Sequence, residues 1–476
     1  MGSPAAASQA LPSRADGWCG NPPDADPVPV RRNRSLLVNT HPTRPITRAD
    51  LDNATCGGPI GQWEQPQAIR VQVIASKVFY VRSGANERFH FSGWSRLRHY
   101  LVNLQDAVDK FGSPDVEFVL CIIDSHSQWP VLIPAAAYQG PGKPPPGREP
   151  FLIPAHVGMR KFFGGPEASG PARTQQPLDD MRAKWAAKRG VAVWRGTNTG
   201  AYEVRLRSWT SNPRARLAAL SKLFPRDIDA AITGWPQPHD DLRLLTPFLR
   251  NASHAPFSLY NQYKYVLDVD GNVQSTAGPS LAPLQGVVLV ATRFRTAYTA
   301  SLLRLPHVIR LRPDLSDALE VVHCLRVHDE EALRRVHDGS HHAAAAFSYD
   351  SVLGYWADLL EHYGAHQRFR PTLADGAVPA SQLLLVGRNA AGRTMEERQR
   401  RLAASADAGV PTPPARPLLV DMLLEAFGGG RADFAQFVDA GLGWSGRQQI
   451  IVAGGCCISI VVVGALSRRI SHVMLT

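Results

Sequence analysis

Asp124 closes the apolar run Val116–Ile123, VEFVLCII, which reads as a strand buried on both faces of a parallel sheet. Ligands of open α/β sheets bind outside the carboxyl ends of such strands. A carboxylate there can take a proton from a reacting hydroxyl within hydrogen-bond reach. By position alone it also fits a helix cap or a turn former. A second group is Trp194-Arg195-Gly196-Thr197-Asn198-Thr199-Gly200, where a strand gives way to an arginine, two glycines and hydroxyls. Glycines let backbone amides approach a ligand, hydroxyls donate, and a guanidinium grips phosphate oxygens in a fork. An ordinary polar strand-end loop has the same composition. The third group is Asp268-Val269-Asp270-Gly271-Asn272. Read as Asp-x-Asp it suits a divalent cation holding a nucleotide diphosphate, but Asp-Gly between two strand-like runs is the stronger signal, for a turn.

Other chemistries leave no trace. The histidines, His337, His341 and His342 among them, lack metalloprotease spacing and read as solvated or helix-face residues. There is no Gly-x-Ser-x-Gly elbow, and the segment Trp194–Gly200 is neither a Walker loop nor a Gly-x-Gly-x-x-Gly signature. The net charge of +11 comes mainly from arginines scattered along the chain, without a basic block or interleaved aromatics. A phosphate-bearing ligand therefore fits better than nucleic acid. The six cysteines include no Cys-x-x-Cys pair, so a zinc site is not expected. Cys19 and Cys56 flank a polar segment and are positioned to form one disulfide, whereas Cys121 and Cys324, in apolar runs, read as buried thiols. Acceptor triplets for N-glycosylation occur at Asn33, Asn53 and Asn251, and such triplets also arise by chance.

The elements that would position these residues follow from periodicity. Residues 1–65 read as a loosely ordered arm rich in Pro, Asn and Asp. Ile69–Ile74 and Lys77–Val81 alternate as a hairpin, and Trp94, Leu97, Leu101, Leu104 and Val108 share one helix face ending at Gly112. A second block alternates strands at Gly190–Trp194, Tyr263–Val269, Gly286–Ala291 and Val308–Leu311 with a helix at Arg214–Phe224. Asp314 is expected to cap a helix bearing Leu315, Leu319, Val322 and Leu325. Asp329 is expected to begin another helix ending near Gly339, and Phe347–Tyr363 to form a third. Two such βαβ blocks define an α/β chain with a cleft between them.

Taken in order, Lys77–Val81, Pro114–Leu120 with Asp124, Trp194-Arg195-Gly196, Tyr263–Gly271, Gly286–Leu289, Asp314–Asp317 and Tyr355-Trp356 resemble glycosyltransferase family 90 over roughly residues 69–363. This is the family of the capsule-associated proteins and the protein O-glucosyltransferases. The resemblance implies a GT-B-like fold of two Rossmann-like domains facing a central cleft. It also implies inverting transfer of glucose or xylose from a UDP-sugar to a hydroxyl of a protein or glycan, with no metal or other cofactor. Asp124 inherits the role of base, and Arg195 and Thr197 lie in the nucleotide-contacting loop. Arg214 inherits the diphosphate contact, and Asn272, Val273, Gln274, Ser275 and Thr276 form the loop around UDP. The resemblance also removes the metal reading of Asp268 and Asp270. The family carries an arginine where this chain has Ala277, and that departure motivates a second reading, a weakened or inactive member acting as a lumenal binding protein.

The expected organisation is a first domain over 66–185, a UDP-sugar domain over 186–345 and a helix over 346–364 packing back on the first. A linker and helix over 365–447 and an apolar tail over 448–468 complete a C-terminal extension. Ile450–Leu466 is uncharged and, at about 1.5 Å per residue, spans roughly 26 Å, enough for a thin bilayer. The expected location is the endoplasmic reticulum or Golgi lumen with a C-terminal anchor, although no N-terminal signal sequence is visible.

Overall fold

In the computed structural model of the chain, the described residues are 19, 44–54, 68–81, 91–121, 132–133, 135–137, 151–154, 177–200, 212–235, 249–253, 255–271, 275 and 277–382. The chain divides into two compact units, Met1–Leu419 and Val420–Thr476, and every described residue lies in the first.

Strands are numbered in chain order. Ala68–Ile74 (β1) pairs antiparallel with Lys77–Val81 (β2) across Ala75 and Ser76, which take φ of 48° and 61°. Two positive φ values in succession match the twist of a two-residue hairpin, although neither residue is a glycine. Asp115 accepts from the Ala75 amide at 2.8 Å and Gln105 donates to the Ser76 carbonyl at 3.2 Å, so the turn is fastened from outside. The helix Phe91–Phe111 follows, burying Leu97, Leu101, Leu104 and Val108 and stopping at Gly112 in the left-handed region.

Val116–Cys121 (β3) is buried along its whole length, as expected, but its sheet is mixed. β1 lies antiparallel to β2 and β3, while β3, Leu132–Ile133 (β4) and Phe151–Leu152 (β6) run parallel. Ala377–Pro379 (β13), where the sequence offers no strand signal, pairs with β2 and completes the order β13-β2-β1-β3-β4-β6. A buried run reports two covered faces and is silent on strand direction.

The second sheet is parallel throughout. Its strands are Arg189–Thr197 (β7), Ile228–Gly234 (β8), Tyr263–Val269 (β9), Val287–Ala291 (β10) and Val308–Leu311 (β12), in the order β12-β10-β9-β7-β8. Ala135–Ala137 (β5) and Phe294–Thr296 (β11) form a separate two-stranded ribbon.

Three helix boundaries differ from the sequence reading. The helix expected from Asp314 begins at Ala318, and Leu315 is a buried residue of the preceding turn with φ of 61°. Asp314 instead accepts from the Ser316 amide at 3.1 Å, and Asp317 from the Arg312 amide at 3.0 Å. The helix from Asp329 continues through Gly339 to Ala346. Gly339 is there for space, since a Cβ would lie 1.9 Å from His307 Nδ1, and the buried imidazole fills the notch. Tyr349–His366 is capped by Ser348 and packs on the first half. Tyr349 donates to Asn103 at 3.0 Å and Tyr355 to the Leu152 carbonyl at 2.6 Å.

The cysteine pairing also differs. Cys19 bonds Cys324 across 305 positions, tying the N-terminal arm to the helix Ala318–Val327, and Cys121 is disulfide-bonded as well. The expected Cys19–Cys56 pair and the free buried thiols at Cys121 and Cys324 are thereby corrected. Sequence distance says nothing about which sulfurs the fold brings together.

Candidate functional site

The parallel sheet has a switch point between β7 and β9, from which the chain winds outward in opposite directions. Doubly wound domains take their ligands at this place, outside the carboxyl ends of the strands. Here the ends are Thr197–Gly200 after β7 and Asp270-Gly271 after β9. The helix Pro213–Leu223 starts beside them. Asn212 caps it, accepting from the Arg214 amide at 2.9 Å and the Ala215 amide at 3.1 Å, with Pro213 in the first turn. Asn212 also donates to the Asn198 carbonyl at 2.9 Å, stitching the helix start to the loop after β7. Gly200 permits that approach, because a Cβ there would meet Asn212 Nδ2 at 2.7 Å.

Arg214 bridges the two strand ends. Its Nη1 donates to Thr199 Oγ1 at 2.6 Å and to the Thr197 carbonyl at 3.2 Å, and its Nε donates to the Asp270 carbonyl at 2.9 Å. The guanidinium carbon stands 5.6 Å from the centre of the Trp194 ring. Gly271 touches the other side, where a Cβ would fall 2.8 Å from Nη2. A guanidinium in the first turn of a helix, beside two hydroxyls and a glycine-lined strand end, is suited to an anion.

Under this cation lie Asp268 and Asp270, 2% and 3% exposed. They do not form the hairpin turn that Asp-Gly suggested. β9 runs parallel to both neighbours, and the chain crosses over before β10. Among the described residues neither Asp268 oxygen has a hydrogen bond of ordinary geometry, nor does Oδ1 of Asp270. Asp270 Oδ2 accepts from the Arg293 amide at 2.8 Å. Burial pushes the Asp268 carboxyl up to about 7, opposed by the Ser275 hydroxyl and reinforced by Asp270. Burial likewise lifts Asp270 to about 6, opposed by the Thr292 hydroxyl and the Arg293 amide. Gly278 abuts Asp268, since a Cβ on it would lie 2.7 Å from the nearer carboxylate oxygen.

Of the residues singled out from sequence, Thr197, Arg214 and Ser275 come together at this edge. Thr197 Oγ1 lies 3.3 Å from Thr199 Oγ1, and Ser275 Oγ accepts from the Ala277 amide at 3.2 Å. Arg195 is engaged elsewhere. It pairs with the buried Asp229 at 2.7 Å, in a cluster with Arg189, Arg250 and Tyr263. Burial works to raise that aspartate, but the Tyr263 hydroxyl and the Arg195 guanidinium hold it below the usual carboxylate range. Ala277 is partly buried against the hydrophobic core. Asp124, three positions beyond β3, and Asn272, Val273, Gln274 and Thr276 lie outside the described residues.

Sequence reading counted Thr199 among the donating hydroxyls of its loop but gave no role to Asn212 or the Asp229 cluster. Asn212-Pro213 is a helix-start signal that could have been used. Nothing local announces the arginines that meet at Asp229. Among the described residues, the group of His, Cys, Asp or Glu donors close enough to share an ion is Cys19, Cys324 and His328, and its two sulfurs are bonded to each other.

A five-stranded parallel sheet with an arginine at its switch point defines an α/β protein of Rossmann-like type. Comparison with known proteins narrows that class. Residues 171–423 match the family described as Glycosyl transferase family 90, and the chain belongs to it. It is 28% identical to Protein O-glucosyltransferase 2 of Danio rerio over 193 residues, 40% of this chain and 36% of that protein. It is 29% identical to Protein O-glucosyltransferase 3 of Rattus norvegicus over 164 residues, 34% of this chain and 32% of that protein. Uncharacterized protein 035R of Invertebrate iridescent virus 3 is 26% identical over 200 residues, 37% of this chain and 16% of its own length. The chain thus spans about a third of the length of the O-glucosyltransferases it matches.

Proposed function

We propose that the chain is an inverting glycosyltransferase that moves glucose or xylose from a UDP-sugar to a hydroxyl on a protein or glycan. The observation that carries this is Arg214, fixed at the switch point by the ends of β7 and β9. Family membership and the O-glucosyltransferase names of two relatives support it.

In this reading the two halves form a GT-B-like pair, and the UDP diphosphate lies over the Arg214 guanidinium at the start of its helix. Thr197 and the loop 272–276 line the nucleotide, and no metal takes part. The acceptor hydroxyl attacks the anomeric carbon from the face opposite UDP, so the configuration inverts. Asp124 takes the hydroxyl proton as the new carbon–oxygen bond forms. The bond to the diphosphate breaks, and Arg214 with loop amides holds the charge that develops on departing UDP. Arg293 stands at the end of β10, its amide on Asp270, where a second cation serves in place of the arginine replaced by Ala277. The Cys19–Cys324 bond favours an oxidising compartment such as the endoplasmic reticulum or Golgi lumen. No helix among the described residues is long and apolar enough to cross a membrane, and Ile450–Leu466 lies outside them.

The test is a hydrolysis screen of the full chain against a panel of UDP-sugars, with UDP titrated by calorimetry. Turnover of one donor with micromolar UDP binding is expected. Binding without turnover of any donor selects the second reading, a binding protein that Ala277 has weakened as an enzyme. Absence of UDP binding removes both.

A further inference from the structure

Of the acceptor triplets, Asn33 and the Thr55 of the Asn53 triplet lie outside the described residues, whereas Asn251-Ala252-Ser253 is described throughout and exposed at all three positions. Asn251 forms a parallel bridge with Ile232 on β8, the edge strand of the parallel sheet. The Ile232 amide donates to the Arg250 carbonyl and the Ala252 amide to the Ile232 carbonyl, both at 2.9 Å. The residues flanking Asn251 therefore carry the pairing with β8. The Asn251 side-chain amide donates to the Leu249 carbonyl at 3.3 Å.

We propose that Asn251 carries an N-linked oligosaccharide. Three observations meet on it. The triplet has the acceptor pattern with a residue other than proline in the middle. The fold leaves asparagine and serine on the surface of an extended segment, so a bulky glycan attached to the nascent chain does not obstruct folding. The Cys19–Cys324 bond, independent of both, marks the oxidising compartments through which secreted and lumenal chains pass. In the transfer, the Asn251 amide nitrogen bonds to the anomeric carbon of a polyprenyl-diphosphate-linked oligosaccharide. The carbon–oxygen bond to the diphosphate breaks, the amide gives up one proton, and polyprenyl diphosphate leaves. Ile232 pairs with Gly196 on β7, so the glycan emerges beyond the rim strand β8, two positions outward from β7. The proposal stands on the triplet, its exposure and the disulfide, and not on the transferase reading.

The test is peptide mapping of the full chain made through the secretory pathway of a eukaryotic host. The peptide containing residues 249–253 is weighed before and after peptide-N-glycosidase treatment. It is expected to carry hexosamine and to appear after treatment with aspartate at position 251. Asn251→Gln and Ser253→Ala are each expected to abolish the modification, the second while keeping the asparagine and its contacts. Recovery of the wild-type peptide wholly unmodified, from protein in which Cys19 and Cys324 are bonded, overturns the proposal.

Discussion

Gly271 packs against Arg214 so closely that a Cβ on the glycine would lie 2.8 Å from Nη2. The demand is for space, because Gly271 is not among the residues of positive φ. Gly271→Ala is expected to push the guanidinium out of line with Thr199 and the Asp270 carbonyl. UDP-sugar affinity should fall about tenfold, about 1.4 kcal/mol, with the melting temperature nearly unchanged. Calorimetry and thermal denaturation read the two effects separately.

Arg214→Ala removes the cation itself. Loss of a charge-assisted phosphate contact costs about 1.5–3 kcal/mol, or roughly tenfold to over a hundredfold in UDP affinity. Arg214→Lys keeps the charge but not the fork that spans Thr199 and Asp270, so it should recover only part of the loss. Wild-type UDP affinity in Arg214→Ala would place the diphosphate elsewhere.

Asp124→Asn should leave UDP binding intact and lower turnover by about 10²–10⁴, the usual worth of a positioned general base. Undiminished turnover of the donor that the screen identifies would take the base role away from Asp124.

The two buried acids predict a pH dependence. The folded-state values of about 7 for Asp268 and about 6 for Asp270 lie above the ordinary 3.8. The folded chain therefore binds more protons than the unfolded one between these limits. Their contribution to stability is full below about pH 4 and is lost as pH rises through 6 and 7. Asp268→Asn, neutral at every pH, should flatten that fall, as read from denaturant midpoints on either side of neutrality. The charges facing the pair are Arg214 and Arg293, with Ser275 and Thr292 hydroxyls beside them. UDP-glucose, which has no group titrating near neutrality, should bind more weakly as the pair ionises, because the carboxylates then offset Arg214.

Cys324→Ser opens a loop of 305 positions, whose closure is worth about 6 kcal/mol in the chain-entropy treatment. A melting temperature lowered by several degrees is expected, with UDP affinity of the folded protein unchanged. Thiol reduction should lower the melting temperature of the wild type by more than that of the variant.

The sequence by itself determined what local periodicity and turn chemistry encode. The β1–β2 hairpin follows from alternation, and the helix face of Leu97, Leu101, Leu104 and Val108 from 3.6-residue spacing. Both were legible, as were the four strands named for the second sheet. The tertiary structure decided what depends on residues far apart in the chain. The apolar run of β3 could not tell an antiparallel neighbour from a parallel one, because burial looks the same in both. Asp268 and Asp270 read as a turn, since Asp-Gly signals the same local bend whether the chain returns beside itself or crosses over to β10. Cys19 found Cys324 and Arg195 found Asp229 because the fold, not the spacing, brings sulfur to sulfur and guanidinium to carboxylate. Short-range order is written residue by residue, while pairing across hundreds of positions is fixed only when the whole core closes.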